Sequence, residues 1–378
     1  LRTRSLTLAS LVILSACANS QLESPPISTN PNNSDYELVS VTSDITIPWG
    51  MVWLNDNDLL VTDRDGELRL ISQGQLVEQT IAGVPKVDAR NQGGLLDIEK
   101  HPDYANNGWL YLSYSGFEGD EEGSNTSIMR AKFDKANMAL SDIELIFEAS
   151  PNTTNPRHFG SRLEFDDEGY LYFSIGDRGE RDVNPQRLDR DAGKVHRIND
   201  DGSIPTDNPF VNQADANPSI YSYGHRNPQG MAKHPVSGDI WTHEHGPRGG
   251  DEINRVQKSM NYGWPVISYG INYSGTSFTD LTDKDGMAQP NWQWTPSIAP
   301  SGMAFVQSDI YPDLKGHMLV GSLKFAYVVL VEMDGNKING HSSLFDGVGR
   351  VRSLSFSPDG YLYLGIDGKG IMKVMPKA

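Results

Sequence analysis

The sequence predicts an all-β protein, a six-bladed β-propeller of four-stranded antiparallel blades, and three observations carry that prediction. From residue 36 onward, apolar residues alternate with period two between turns of Gly, Asp, Asn and Pro, the mark of short strands. No segment there shows the long, capped apolar stripe of an amphipathic helix. One phrase, a turn followed by a strand of aromatic and aliphatic residues and then a polar turn, recurs six times. A repeated unit cannot bury its faces alone, so its neighbours must stack, and six units close into a ring.

The phrase occurs as Asp58-Leu59-Leu60-Val61-Thr62, Gly108-Trp109-Leu110-Tyr111-Leu112 and Gly169-Tyr170-Leu171-Tyr172-Phe173. It returns as Gly238-Asp239-Ile240-Trp241-Thr242, Gly316-His317-Met318-Leu319-Val320 and Gly360-Tyr361-Leu362-Tyr363-Leu364. The gaps between the central markers Leu60, Tyr111, Tyr172, Trp241, Leu319 and Tyr363 are 51, 61, 69, 78 and 44 residues. The shortest suits one four-stranded blade, and the longer ones are a blade plus loops. The early strand over 36–41 is expected to complete the last blade beside 371–374 and close the ring. A pair of β-sandwiches does not account for six similar phrases. The longest insertions fall between Tyr111 and Leu319, so the functional rim is expected there.

The propeller is expected over 36–378, behind a targeting segment. Arg2 and Arg4 precede an apolar run from Leu6 to Leu14, then Ser15, Ala16 and Cys17. A charged start, a short apolar stretch and small residues read as a secretory signal over 1–16. Cysteine directly after Leu-Ser-Ala resembles the bacterial lipoprotein box. The thiol of Cys17 would carry a lipid anchor, leaving the protein membrane-tethered in the periplasm or at the cell surface. Residues 17–35, rich in Asn, Ser and Pro, read as a flexible tether. A net charge of −17 over 378 residues argues against a general nucleic-acid binder. One cysteine excludes an intramolecular disulfide and any cysteine-rich metal site.

Four stretches place titratable residues in Gly-rich turns. The first is Arg157-His158-Phe159-Gly160-Ser161-Arg162, followed by a strand and Gly176-Asp177-Arg178-Gly179. Such a His and Asp can act as a base and its orienting carboxylate, although a hydrogen-bonded turn histidine is the plainer reading. The second is the run from Tyr223 to Gly230, in which Arg226 offers a bidentate fork and Asn227 an amide, suited to carboxylates or quinone oxygens. The third runs from Glu244 through Gly246, Pro247, Asp251 and Glu252 to Tyr262 and Pro265. Backbone carbonyls of a Gly-Pro turn with carboxylates nearby are the hard oxygen ligands that calcium prefers. A zinc site from His243 and His245 is weaker, since no third ligand is evident. The fourth set is Lys324, Arg350 and Arg352, cations that suit either an anionic ligand or surface ion pairs.

Taken together and in this order, these stretches resemble the glucose/sorbosone dehydrogenase family, in particular its PQQ-dependent soluble aldose sugar dehydrogenases. The resemblance covers nearly all of residues 45–375 and includes Pro48-Trp49-Gly50-Met51, the run from Asn91 to Asp97, and His101-Pro102. It implies a six-bladed propeller that oxidises aldoses at the anomeric carbon to lactones, passing hydride to PQQ. On this resemblance His158 is the base and Asp177 its supporting carboxylate. Gln92, Arg226, Asn227, Lys324, Arg350 and Arg352 hold PQQ, a tricarboxylate ortho-quinone. Gly246 and Pro247 offer carbonyls to the calcium beside PQQ, and Glu252 and Tyr262 are ligands of a further calcium. From Pro265 to Thr279 there is no Asp or Glu, so the shell of that second ion departs from the pattern of some relatives. The implied partners are an aldose and an unidentified electron acceptor, with the chain a monomer or a homodimer. A calcium-dependent sugar lactonase and a non-catalytic sugar-binding propeller lipoprotein are the alternatives; neither needs His158 together with the full cation set.

Overall fold

The structure, a computed structural model, describes residues 35–119 and 121–377. The signal segment, Cys17 and the tether up to 34 lie outside the described residues.

Six four-stranded antiparallel sheets make up the described chain. After β1 (Tyr36–Thr42), blade one contains β2 (Pro48–Trp53), β3 (Asp58–Asp63), β4 (Glu67–Ser72) and β5 (Gln75–Leu76). Blade two contains β6 (Leu95–Lys100), the single turn α1 (Tyr104–Asn107), β7 (Trp109–Gly116), β8 (Asn125–Asp134) and β9 (Ala139–Glu148). Blade three contains β10 (Leu163–Phe165), β11 (Leu171–Ile175), β12 (Lys194–Ile198) and β13 (Ile220–Tyr223). Blade four contains β14 (Pro228–Lys233), β15 (Ile240–Glu244), β16 (Asp251–Arg255) and β17 (Trp292–Trp294). Blade five contains β18 (Pro300–Phe305), β19 (Met318–Ser322), β20 (Val328–Asp334) and β21 (Lys337–Leu344). Blade six contains β22 (Val351–Phe356), β23 (Leu362–Ile366) and β24 (Gly370–Pro376), and takes β1 as its fourth strand. The closure pairs Leu38 with Val374, so the first strand seals the last blade as the sequence predicts.

Every recurring phrase is the second strand of a blade, β3, β7, β11, β15, β19 and β23. These strands are buried on both faces: all six residues of β3 and all five of β11, β15, β19 and β23 are inside. Their near-continuous apolar reading follows from stacking between two neighbouring blades. Clean alternation is kept by outer strands such as β21, which faces water on one side. Each blade-to-blade interface holds its own apolar cluster, for example Val52, Leu60, Leu110 and Leu112 between blades one and two. A second, Leu319, Leu330, Leu362 and Leu364, lies between blades five and six. Burying one such side chain contributes about 1.5–3 kcal/mol, and the ring distributes that stabilisation over six interfaces.

The first strands β2, β6, β10, β14, β18 and β22 contact one another around the central channel. Five of them break register near their starts, at Pro48/Gly50, Leu95/Ile98, Pro228/Gly230, Ser301/Met303 and Val351/Ser353. Bulges of this kind re-aim a side chain at the rim of a sheet. They place Trp49, Gln229 and Arg352 in the wall of a cleft at that end of the channel.

Candidate active site

Two adjoining clefts open at this end. The smaller, of about 320 Å³, is lined by His158, Asp177, Arg226, Trp264, Pro247 and Tyr273 among others. His158 precedes β10 with a left-handed backbone, φ 57°, a conformation that only local restraint maintains in a non-glycine residue. Its N–H donates to Gln92 Oε1 at 2.8 Å, and the loop bearing Gln92 approaches so closely that a Cβ on Gly93 would meet Asp88 O at 2.2 Å. From behind, the buried guanidinium of Arg178 donates to the carbonyls of Arg157 and Asn155 and lies 3.5 Å over the Phe159 ring.

His158 Nδ1 and Asp177 Oδ1 are 2.6 Å apart. Asp177 is fixed in turn: Oδ2 accepts Trp264 Nε1–H at 2.9 Å and Oδ1 accepts the Gly179 N–H at 2.8 Å. With the carboxylate accepting from Nδ1–H, the imidazole keeps its lone pair on Nε2. Burial, reinforced by the Arg226 charge, lowers the His158 pKa below its ordinary value, against the opposing pull of Asp177. Burial pushes Asp177 up, but His158 and Arg226 outweigh it, and its carboxyl is held below the usual range. Arg226 donates to His245 O at 3.0 Å, while Asn227 Oδ1 accepts the Gly160 N–H at 3.1 Å. Asn227 thus holds the loop that carries His158 and is not among the residues lining either cleft.

The larger cleft, of about 740 Å³, shares Pro247 and Tyr273 with the first. Arg64, Arg248, Lys324, Arg350 and Arg352 line it, and among the described residues no Asp or Glu does. Behind this wall Asp367 receives Arg352 Nε at 3.1 Å and Nη2 at 2.8 Å, and Arg350 Nε at 3.3 Å. Asp65, 3.8 Å from Arg64, is a second carboxylate outside the wall, and five cations lining the cleft against these two leave a positive concavity in a chain of net charge −17. Gln229 Oε1 is buried there with no partner. The five cationic donors fit a planar polyanion with carbonyl and carboxylate oxygens, and the free Gln229 oxygen is an acceptor beside them.

Gly246 and Pro247 are buried at the junction of the clefts, and the Gly246 N–H donates to Asp251 Oδ1 at 2.7 Å. Asp251 Oδ2 takes Ser297 Oγ–H and the N–H groups of Ile298 and Ala299, which locks this turn against the entry to β18. Burial, with Glu244 and Asp251 close by, pushes Glu252 up to about 8. A carboxylate so poorly compensated, beside the unpartnered Asn254 Oδ1, fits a cation. The Tyr262 hydroxyl is committed, donating to Arg255 O at 2.5 Å and accepting the Gln257 N–H at 2.9 Å, so only its backbone oxygen is left to offer an ion. His243 and His245 point Nε2 at the carbonyls of Gly302 and Pro300. Among the described residues no three His, Cys, Asp or Glu side chains converge as a metal cage.

The structure thus joins His158, Asp177 and Arg226 in one cleft and Gln92, Lys324, Arg350 and Arg352 in the other. The rim is wider than the 111–319 insertions suggest, because Trp49, Arg64, Gln92, Lys324, Arg350 and Arg352 lie outside that range. Sequence reasoning missed Arg64, Arg248, Gln229 and Trp264 as site residues. Arg64 sits between Asp63 and Asp65 and reads as a turn ion pair. Only its place just after the strand phrase marks it.

The family model described as Glucose / Sorbosone dehydrogenase matches residues 45–373. The aldose sugar dehydrogenase YliI of Escherichia coli is 39% identical over 368 residues, covering 96% of each chain. The crystal structure of the soluble aldose sugar dehydrogenase from Escherichia coli in its apo-form superposes with a TM-score of 0.87 at 38% identity, over 90% of this chain and 100% of that one. The PQQ-bound form of aldose sugar dehydrogenase from Streptomyces coelicolor superposes with a TM-score of 0.73 at 25% identity, over 90% and 98%.

Proposed function

The chain belongs to the glucose/sorbosone dehydrogenase family, and on that premise we propose that it is a PQQ- and calcium-dependent aldose dehydrogenase. The observation that carries the reading is the junction of a His–Asp dyad with a cleft walled, among the described residues, by five cations and no carboxylate. The aldose lies in the smaller cleft with its anomeric hydroxyl at His158 Nε2. That nitrogen takes the hydroxyl proton as hydride leaves the anomeric carbon, and the product is the lactone. Asp177 stabilises the imidazolium that forms and holds the ring in the productive tautomer. Arg64, Lys324, Arg350 and Arg352 neutralise the cofactor carboxylates, with Gln92 and Gln229 as amide partners. When bound, PQQ would supply the ortho-quinone that accepts hydride, and the carbonyls of Gly246 and Pro247 would hold a calcium ion serving as a Lewis acid. Glu252 and the Tyr262 carbonyl would hold a further calcium.

The cation wall favours this reading over a lactonase, which has no use for it. The test is titration of the protein with PQQ, with and without calcium, following sugar-dependent dye reduction. Saturable activation that a chelator reverses is expected; sugar-independent dye reduction, or lactone hydrolysis without PQQ, would overturn the proposal. We further propose that Cys17 carries a lipid tethering the propeller in the periplasm or at the cell surface, where the aldose and an electron acceptor meet it. Cys17→Ser is expected to move the protein from the membrane to the soluble fraction, and a soluble wild type would refute the anchor.

A further inference from the structure

Arg162 stands at the centre of the ring, buried, and it is not among the residues lining either cleft. Its guanidinium spends its donors on four blades. Nε donates to Gln229 O at 2.7 Å in blade four, Nη1 to Trp49 O at 3.0 Å in blade one, and Nη2 to Arg352 O at 3.0 Å in blade six. Nη1 also reaches Asp97 Oδ1 at 3.1 Å in blade two, and the plane lies 3.9 Å over the Trp49 ring. The three carbonyls share an origin. Trp49, Gln229 and Arg352 each sit inside a register break of a first strand, between Pro48 and Gly50, Pro228 and Gly230, and Val351 and Ser353. A bulged residue leaves the ladder, so its carbonyl needs another donor. Asp97 sits in a fourth break, between Leu95 and Ile98, and its other oxygen takes the Leu163 N–H at 3.0 Å.

Trp49, Gln229 and Arg352 also line the cation cleft. From this juxtaposition we propose that Arg162 is the positioning residue of the cofactor cleft: by gathering the bulge carbonyls of Trp49, Gln229 and Arg352 it sets the cleft before any ligand enters. The inference rests on the quinone reading and deepens it. A fixed fork is required, because one planar group must meet three carbonyls from three blades in fixed directions, which an ammonium on a flexible stem does not do. Pre-set geometry of this kind lowers the ordering cost of binding and leaves proton transfer at His158 untouched.

The test compares Arg162→Lys with the wild type and with Leu330→Ala, a core variant in the cluster between blades five and six that is destabilised away from the cleft. PQQ half-saturation is expected to rise at least about 10-fold in Arg162→Lys, with kcat at saturating PQQ within about 3-fold of wild type. Leu330→Ala is expected to melt lower with unchanged half-saturation. Hydrogen exchange of the protein without PQQ gives a readout independent of turnover: in Arg162→Lys, segments 48–50, 228–230 and 351–353 should lose protection while β19 and β23 keep theirs. If the lysine variant folds poorly, Arg162→Gln, which keeps a neutral donor, carries the same expectations. Wild-type half-saturation together with wild-type exchange at the bulges would overturn the proposal. A wild type that does not bind PQQ would instead overturn the cofactor reading, and the exchange experiment would still decide whether Arg162 sets the bulges.

Discussion

The two clefts meet at Pro247 and Tyr273 yet are built on opposite principles. In the smaller one His158 and its carboxylate are tied down by hydrogen bonds. His158 is held at its N–H by Gln92 and at Nδ1 by Asp177, whose two oxygens are also held by Trp264 and Gly179. In the larger one the functional groups are long cations, several with their heads in water: the Arg350 side chain is 54% exposed, and Lys324 and Arg248 are exposed. A proton transfer requires reacting atoms within hydrogen-bond reach, so its geometry has to be set in advance. Neutralising a polyanion tolerates mobile donors, because Coulomb attraction falls off slowly with distance. Damage to the first cleft should therefore appear in turnover, and damage to the second in cofactor affinity.

The largest effect tests the rigid side. His158→Gln keeps hydrogen bonding and removes basicity, and is expected to lower kcat about 10²-fold to 10⁴-fold with PQQ half-saturation unchanged. Near wild-type kcat in the loaded variant at saturating sugar would mean that another group takes the proton. Next comes the cation wall, where burial ranks the residues. Arg352, 8% exposed at its side chain, should lose about 1.5–3 kcal/mol of PQQ binding on replacement by Ala, the range for a hydrogen bond to a charged group. Arg350, half in water, should lose about 1 kcal/mol or less, as exposed ion pairs do. Half-saturation measured for both variants checks the order, and a larger loss at Arg350 would mean that the exposed head closes over the cofactor. Added salt should weaken PQQ binding in the wild type and leave kcat at saturation unchanged, since only the exposed charges are strongly screened.

The contrast also separates what the sequence reveals from what it conceals. The six strand phrases are legible because each second strand is buried on both faces, a demand that restricts it to apolar residues. The pairing of His158 with Asp177 is only partly legible: their Gly-rich turns mark both as candidates, but on the residues alone a hydrogen-bonded turn histidine is the plainer reading, and it is the family resemblance that couples them. Arg162 and Arg64 are not legible as site-building residues: one directly precedes β10 at the end of a Gly-rich stretch and the other sits between two aspartates. Their partners come from blades far away in sequence, Arg352 O lying 190 residues from Arg162. Tyr262 was expected as a calcium ligand only by resemblance, with no atom specified, and the turn that ties its hydroxyl to Arg255 and Gln257 is visible only once the chain is folded.

The smallest effect concerns pH and tests how closely Asp177 and His158 are coupled. Burial and Arg226 lower the His158 pKa below the ordinary 6.5, and Asp177 opposes them. In the wild type the acid limb of kcat/KM, where the imidazole charges and ceases to be a base, should accordingly lie below that value. Asp177→Asn removes the one contribution that favours the imidazolium. The pKa must then fall further, so the limb moves to lower pH even as the plateau drops about 10-fold to 100-fold from loss of the partner that orients the ring. A loss of turnover alone would not separate these roles, since misorientation and lost charge both lower the plateau. The direction of the limb does separate them. Titration of the His158 ring by NMR in the protein without PQQ gives the same sign free of kinetic complexity. A limb or ring titration that moves to higher pH in Asp177→Asn would mean that Asp177 does not act on His158 through its charge, and that the 2.6 Å contact serves only to aim the imidazole.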